Sequence, residues 1–252
     1  MEEFAVTISP SELIQFLFLQ LNDLPDSRTG LNITYESPEL VIAAFSVFFT
    51  QCPSFLEHQK LMKKRRAKDN ALSLFGLRKI PSDNQIRALL DPIPASTISG
   101  AFESVWRWLT ENQILNHFKY LDNQILLALD GTEYYSSKKL HCSHCNCRHH
   151  KNGKITYYHQ VMTPVIVAPE TKQVISLDPE FIRKQDGKTK QDCENAAMKR
   201  WLLRNPAREK NQKITLLGDD LYSRQPICEL SIEQGYNFIF VAKLSSHKSL
   251  YE

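Results

Sequence analysis

"KITLLGDDLYSRQPICELSIEQGYNFIFVA", residues 213–242, decides the fold. Residues 214–218 form a short apolar run that ends abruptly in two carboxylates, Asp219 and Asp220. Residues 225–234 read as a helix closed at Gly235, because glycine takes the left-handed conformation in which many helices terminate. Residues 237–242, NFIFVA, are again a β-type run of aromatic and branched side chains. Strand, helix and strand in direct succession are the elements of an α/β sheet. Working upstream, "KQDCENAAMKRWLLR" (190–204) is helical by its good helix formers and apolar spacing. Residues 173–177 and "ITYYHQVMTPVIV" (155–167) read as strands, and 124–129 is an apolar strand ending in Asp130. From residue 124 the predicted order is therefore β-β-β-α-β-α-β, a mixed α/β sheet.

The first 120 residues differ in character and read as helical. Ser9-Pro10-Ser11-Glu12 caps an apolar periodic run over 13–21. Residues 24–30 are a loop by their turn-forming composition. A helix starting at Ser37-Pro38-Glu39 and running to Phe49 is apolar nearly all round, which predicts a buried element. Further helices are expected over 54–68, 82–90 and within 97–120. The expected organisation is thus a helical region, 1–120, followed by an α/β domain, 121–252.

Composition narrows the class. Hydrophobic residues make up 42 % and charged residues 23 %, as in ordinary globular proteins. The net charge of +3 excludes a chain that is basic throughout, yet residues 60–68 hold six cations in nine positions. Lys63, Lys64, Arg65 and Arg66 are therefore candidates to meet phosphates, against the plainer reading of a solvated helix face. The acidic N-terminus lacks the basic region of a secretory signal. The longest apolar stretch falls far short of the roughly 20 residues of a membrane span. Six cysteines in a chain of this size, without the spacing of a disulfide scaffold, fit a reducing cytoplasm.

Asp130 and Asp219 share one setting, each directly after an apolar strand. In α/β sheets ligands meet the carboxyl ends of strands. If the two strands are neighbours, both carboxylates project at one edge and can share divalent ions. Two Mg²⁺ ions about 4 Å apart activate an attacking oxygen and stabilise a leaving one in phosphoryl transfer. Carboxylate oxygens suit such hard ions. An Asp after a strand is also a common turn residue, so the weight rests on the pair.

The chain resembles a bacterial insertion-sequence transposase of the DDE type, whose catalytic domain is RNase H-like. "ALDGTEYYSS" resembles the first-aspartate block, and "LLGDDLYSRQPICELSIEQGYNFIFVAK" the second, in which an Asp is followed three residues later by Tyr. Asp219 and Tyr222 have that spacing. "DSRTG", "AFSVFFTQCPSFLEHQ" and "LFGLRKIPSDNQIRALLDP" resemble the helical N-terminal region of one such group. The resemblance implies Asp130 and Asp219 as catalytic ligands of Mg²⁺ or Mn²⁺, and transposon ends and target DNA as partners, bound by a homodimer. Besides residues 60–68, Lys138 and Lys139 are candidates to touch the DNA backbone. The family's third ligand is a Glu on a helix after the fifth strand. This chain ends at Glu252, about ten residues after that strand. The expectation is a missing third ligand and a portion of a transposase that is inactive alone. Glu194, on the helix before the fourth strand, and Glu133, close after Asp130, are alternatives to approach the metals, against the plainer reading of helix and loop surface. The rival readings are an RNase H-like nuclease, a vestigial product, and a zinc-dependent DNA-binding protein without catalysis.

That last rival arises from residues 141–150, which pack three cysteines and four histidines into ten positions. Cys142, Cys145, Cys147 and His150 offer four Zn²⁺ ligands, with His144 or His149 as substitutes for the last. A metal supplies the energy to order a segment that has little apolar sequence of its own. Without one, the segment is a reduced polar hairpin.

Overall fold

The computed structural model describes residues 9–21, 24–29, 33–64, 70–169, 171–183, 193–210 and 212–251. The chain forms two compact units, Met1–Val105 and Trp106–Glu252. In the first, α1 (Pro10–Gln20), α2 (Ser37–Phe49), α3 (Phe55–Lys64), α4 (Asn70–Ser73) and α5 (Asp83–Leu90) surround one apolar core. α2 supplies its centre: Leu40 and Ile42 are fully buried, together with Val41, Ala43 and Ala44, as a helix that is apolar on every side requires. Helix starts are set locally. Ser9 and Glu12 form a reciprocal capping box on α1, and Ser82 and Gln85 form another on α5. Each box satisfies amides that the first turn leaves without partners. Replacing Ser82 by Ala is expected to cost this unit about 1 kcal/mol, read as a lower urea midpoint at unchanged m-value. The loop before α2 is tied by Asp26, which takes Arg28 at 2.5 Å and the Ser37 hydroxyl at 2.7 Å. The Arg28 guanidinium holds the Asp26 carboxyl well below the usual carboxylate range.

The division between the units falls within α6 (Ser99–Glu111) rather than at residue 120. From Trp106 onward the buried side chains of that helix, Trp106 and Leu109, belong to the core of the second unit. That unit mixes helix and sheet. Its elements are β1 (Lys119–Tyr120), β2 (Gln124–Ala128), β3 (Gly131–Ser137), β4 (Asn146–His149), β5 (Ile155–Met162), β6 (Val165–Val167), β7 (Ile175–Ser176), β8 (Glu180–Ile182), α7 (Glu194–Arg204), β9 (Ile214–Gly218), α8 (Gln225–Glu233) and β10 (Asn237–Phe240). One sheet has the order β10-β9-β2-β6-β7, with β1 beside the start of β2. β2, β9 and β10 are parallel; β6 and β7 join antiparallel. A second sheet is built on β5, which pairs antiparallel with β3, β4 and β8.

The second sheet departs from the sequence expectation. Residues 155–167 are two strands in different sheets, because Thr163-Pro164 interrupts them. Proline has no amide to give a ladder, and the chain passes from β5 to β6 there, with Thr163 N donating to Asp130 O at 3.2 Å. The stretch 141–150, read as a polar hairpin, contains β4, and β3 precedes it; an eight-residue β5 offers both edges, one to each strand. The third expected strand shrinks to Ile175–Ser176.

α7 covers the first sheet's core with one face: Ala197, Met198, Trp201 and Leu202 are buried, and the Trp201 indole donates to Asp178 O at 3.0 Å. Its described start is Glu194; the expected start at 190 lies outside the described residues. α8 ends as its sequence predicts. Gly235 has φ +85°, and Gly235 N and Tyr236 N donate to Ile232 O and Ser231 O, both at 2.9 Å, which are the two bonds of a Schellman cap. No helix among the described residues is long and apolar enough to cross a membrane.

Candidate functional site

The site forms where β2 and β9 end side by side. Their parallel register pairs Ala128 with Leu217, and Leu129 N donates to Leu217 O at 2.9 Å. Two residues further on, Asp130 and Asp219 emerge from matching positions of adjacent strands. Both are exposed.

Asp219 and Asp220 go separate ways, as neighbours leaving a strand do. The Asp219 carboxylate accepts Leu221 N at 2.9 Å and acts electrostatically on Glu194 and Tyr222. Asp220 instead accepts Lys243 N at 2.7 Å and the Ser246 hydroxyl at 2.6 Å, with His247 at 3.4 Å. These partners, Ser246 first, hold its carboxyl below the usual range. Asp220 thus fastens the segment after β10, while the Asp219 charge acts on Glu194 and Tyr222.

A third carboxylate joins them. Glu194, at the start of α7, accepts the Tyr222 hydroxyl and the Gly131 amide. Burial pushes its carboxyl up, and the charges of Asp130 and Asp219 add to the rise against the opposing Tyr222 bond. Two glycines make the approach possible. A Cβ at Gly131 would collide with the Glu194 carboxylate, and one at Gly218 would lie 2.8 Å from the Tyr222 ring. Tyr222 is 1 % exposed, and burial followed by the Glu194 bond pushes its hydroxyl far above its usual range, so it stays a proton donor. The three carboxylate groups do not converge on one point; among the described residues the group of ligand atoms all within 4.8 Å of one another is Cys142, Cys145 and His159.

In the sequence Glu194 is one of two glutamates that could approach the metals, with helix surface the plainer reading. Its signal was its place in the first turn of an amphipathic helix, too common a setting to single it out. Glu133 pairs with Arg148 at 2.8 Å instead. Arg65, Arg66 and Glu252 lie outside the described residues, as do the side chains of Lys63 and Lys64. Lys138 and Lys139 are exposed in the connection between β3 and β4.

The cysteine cluster is drawn differently from the spacing expectation. Cys142 and Cys145 come together with His159 of β5 and can hold a metal ion. Cys147 and His150 are not brought in. Cys147 lies within β4 opposite Tyr157, and His150 reaches Thr156 Oγ1 at 2.8 Å across the β4–β5 turn. Sequence spacing could not find His159, which is contributed by a strand pairing rather than by the local turn.

No family model matches the chain, and no curated protein does. Among solved structures, it is similar to the cryo-EM structure of a piggyBac transposase synaptic complex with hairpin DNA. The identity is 12 % and the TM-score 0.44, over 100 % of this chain and 55 % of that one. The chain spans about half the length of that transposase.

Proposed function

We propose that the chain is a DDE-type transposase with an RNase H-like domain, cutting and joining DNA at the ends of an insertion sequence. The observation that carries this reading is the register of β2 with β9, which sets Asp130 beside Asp219 at the carboxyl ends of adjacent parallel strands. The strand order supports the same reading: three strands joined antiparallel (β2, β6, β7) and two added parallel at the other side of the first (β9, β10). The donor set fits Mg²⁺ or Mn²⁺, since all three groups are hard carboxylate oxygens that repel one another until a cation is present. Asp130 and Asp219 would hold the ions, and Glu194 would offer a further carboxylate beside them. Such ions supply charge neutralisation at the scissile phosphate and activation of the attacking hydroxyl or water. Tyr222 keeps Glu194 oriented by donating its proton, and Gly131 gives it room. Lys138 and Lys139 provide cations for the DNA backbone.

A nuclease on the same fold would use the same carboxylates, so joining is the discriminating step. The test incubates the protein with Mg²⁺ and DNA carrying the ends of its element. Products in which a 3′-end has become joined to a second duplex are expected. Cleavage without joining would replace the transposase reading by the nuclease. DNA binding that survives loss of Asp130 and Asp219 but not of Cys142 and Cys145, with no cleavage, would replace it by the zinc-dependent binding protein.

A further inference from the structure

We propose that Cys142, Cys145 and His159 bind a structural zinc ion that fastens the β3–β4 connection onto β5. The proposal stands apart from the catalytic reading and uses none of its residues.

The geometry is that of a tetrahedral site. A zinc–sulfur bond of about 2.3 Å puts two ligating sulfurs about 3.8 Å apart, and a zinc–nitrogen bond of about 2.0 Å puts sulfur and nitrogen about 3.5 Å apart. The two Sγ atoms are 3.8 Å apart, and His159 Nε2 is 3.4 Å from Cys142 Sγ and 3.3 Å from Cys145 Sγ. All three edges match to within a few tenths of an ångström. The sulfurs are far beyond the roughly 2.05 Å of a disulfide, and both cysteines are free thiols. Two thiolates with an imidazole select a borderline-soft ion, zinc, over the magnesium suited to carboxylates.

The surroundings are built to present these ligands. Cys145 N donates to Cys142 O at 3.3 Å, which closes the turn, and Cys142 N donates to Cys145 Sγ at 3.3 Å. The His159 ring is stacked on Tyr134 with centroids 5.8 Å apart and lies 5.6 Å from Tyr135. Both tyrosines are on β3, so packing between the strands orients the imidazole before any ion arrives. A fourth donor completes the tetrahedron; His144 sits inside the turn, Cys147 lies two residues beyond it, and water is the other choice. The proposal rests on the three.

The ion has a mechanical task. Residues 138–144 are all exposed, their one large apolar side chain, Leu140, at 72 %. Apolar burial therefore does not tie these residues down, and a bond to β5 does. Tyr135 pairs with His159 in the ladder whose other end pairs Gly131 with Met162. The zinc thus braces the same strand that delivers Gly131 to Glu194, and it holds the segment carrying Lys138 and Lys139.

Elemental analysis of the full chain, purified without chelator from zinc-supplemented cells, should find about one equivalent of zinc. Cys142→Ser with Cys145→Ser, and separately His159→Ala, should each retain less than about a tenth of an equivalent. His150→Ala, and Asp130→Asn with Asp219→Asn, should keep the full amount. Cobalt added to stripped native protein should give thiolate-to-metal absorption that zinc abolishes, which reads the site even if a variant folds poorly. Hydrogen exchange should show amides of 131–137 and 155–162 losing protection when the metal is stripped. Native protein with less than a tenth of an equivalent, iron or copper in its place, full zinc in His159→Ala, or unchanged exchange on stripping would overturn the proposal.

Discussion

Replacing Asp219 by Asn is expected to lower metal-dependent DNA cleavage by about 10²–10³-fold, while the same change at Asp220 leaves cleavage within about tenfold of the parent. The substitution keeps volume and one acceptor and removes the charge. The Asp219 charge acts on Glu194 at the strand ends, where a divalent ion held there would need it, and a metal's stabilisation of developing charge is worth several kcal/mol. At Asp220 the acceptor still serves Lys243 N and Ser246, so the segment after β10 stays anchored. Nicking of end-containing DNA across a Mg²⁺ titration is the measurement. A dead Asp220→Asn with an active Asp219→Asn would reverse the assignment of the pair.

The second large effect is at Glu194, and it has opposite signs with and without metal. Burial and the two neighbouring aspartates raise the Glu194 carboxyl above its ordinary value of 4.5. A raised folded value means the protonated form is favoured in the native state. The stability this contributes is fully present below the unfolded value and is lost as the pH rises through the folded one. In chelator above that value, Glu194→Gln should therefore melt higher than the parent, because it removes an ill-solvated charge yet still accepts the Tyr222 hydroxyl. The difference should vanish as the pH falls below the ordinary carboxylate value. Saturating Mg²⁺ should reverse the order, since the ion stabilises only the protein that ligates it. Cleavage by the variant should be depressed about 10²-fold or more. Melting curves across pH, with and without Mg²⁺, decide it. A variant that melts lower than the parent in chelator at pH 8 would show that the three charges do not oppose one another as described.

The carboxylates also bear on the resemblance noted in the sequence. There the third ligand was sought after β10, in the direction set by the family pattern. The structure brings Glu194 to the strand ends instead, from a helix that precedes β9. The nicking assay on Asp130, Asp219 and Glu194 variants tests whether the three carboxylates act together.

What the sequence determined by itself is whatever depends on contacts within a few residues. The Ser82–Gln85 box, the glycine stop at Gly235 and the one-faced burial of α7 are local, and each was legible from spacing and residue type. So was the position of Asp130 and Asp219 directly after apolar strands. The tertiary structure alone decided which strands are neighbours, and with that everything assembled across them. Asp130 and Asp219 leave adjacent strand ends because β2 and β9 share a ladder. Glu194 reaches them because Gly131 has no side chain to block it. Cys142 and Cys145 find His159 rather than His150 because β5 pairs with β3 and β4 together. Residue periodicity reports which face of an element avoids water; it carries no record of the distant partner, which is chosen when hydrogen-bond ladders and side-chain packing across the whole unit are satisfied at once.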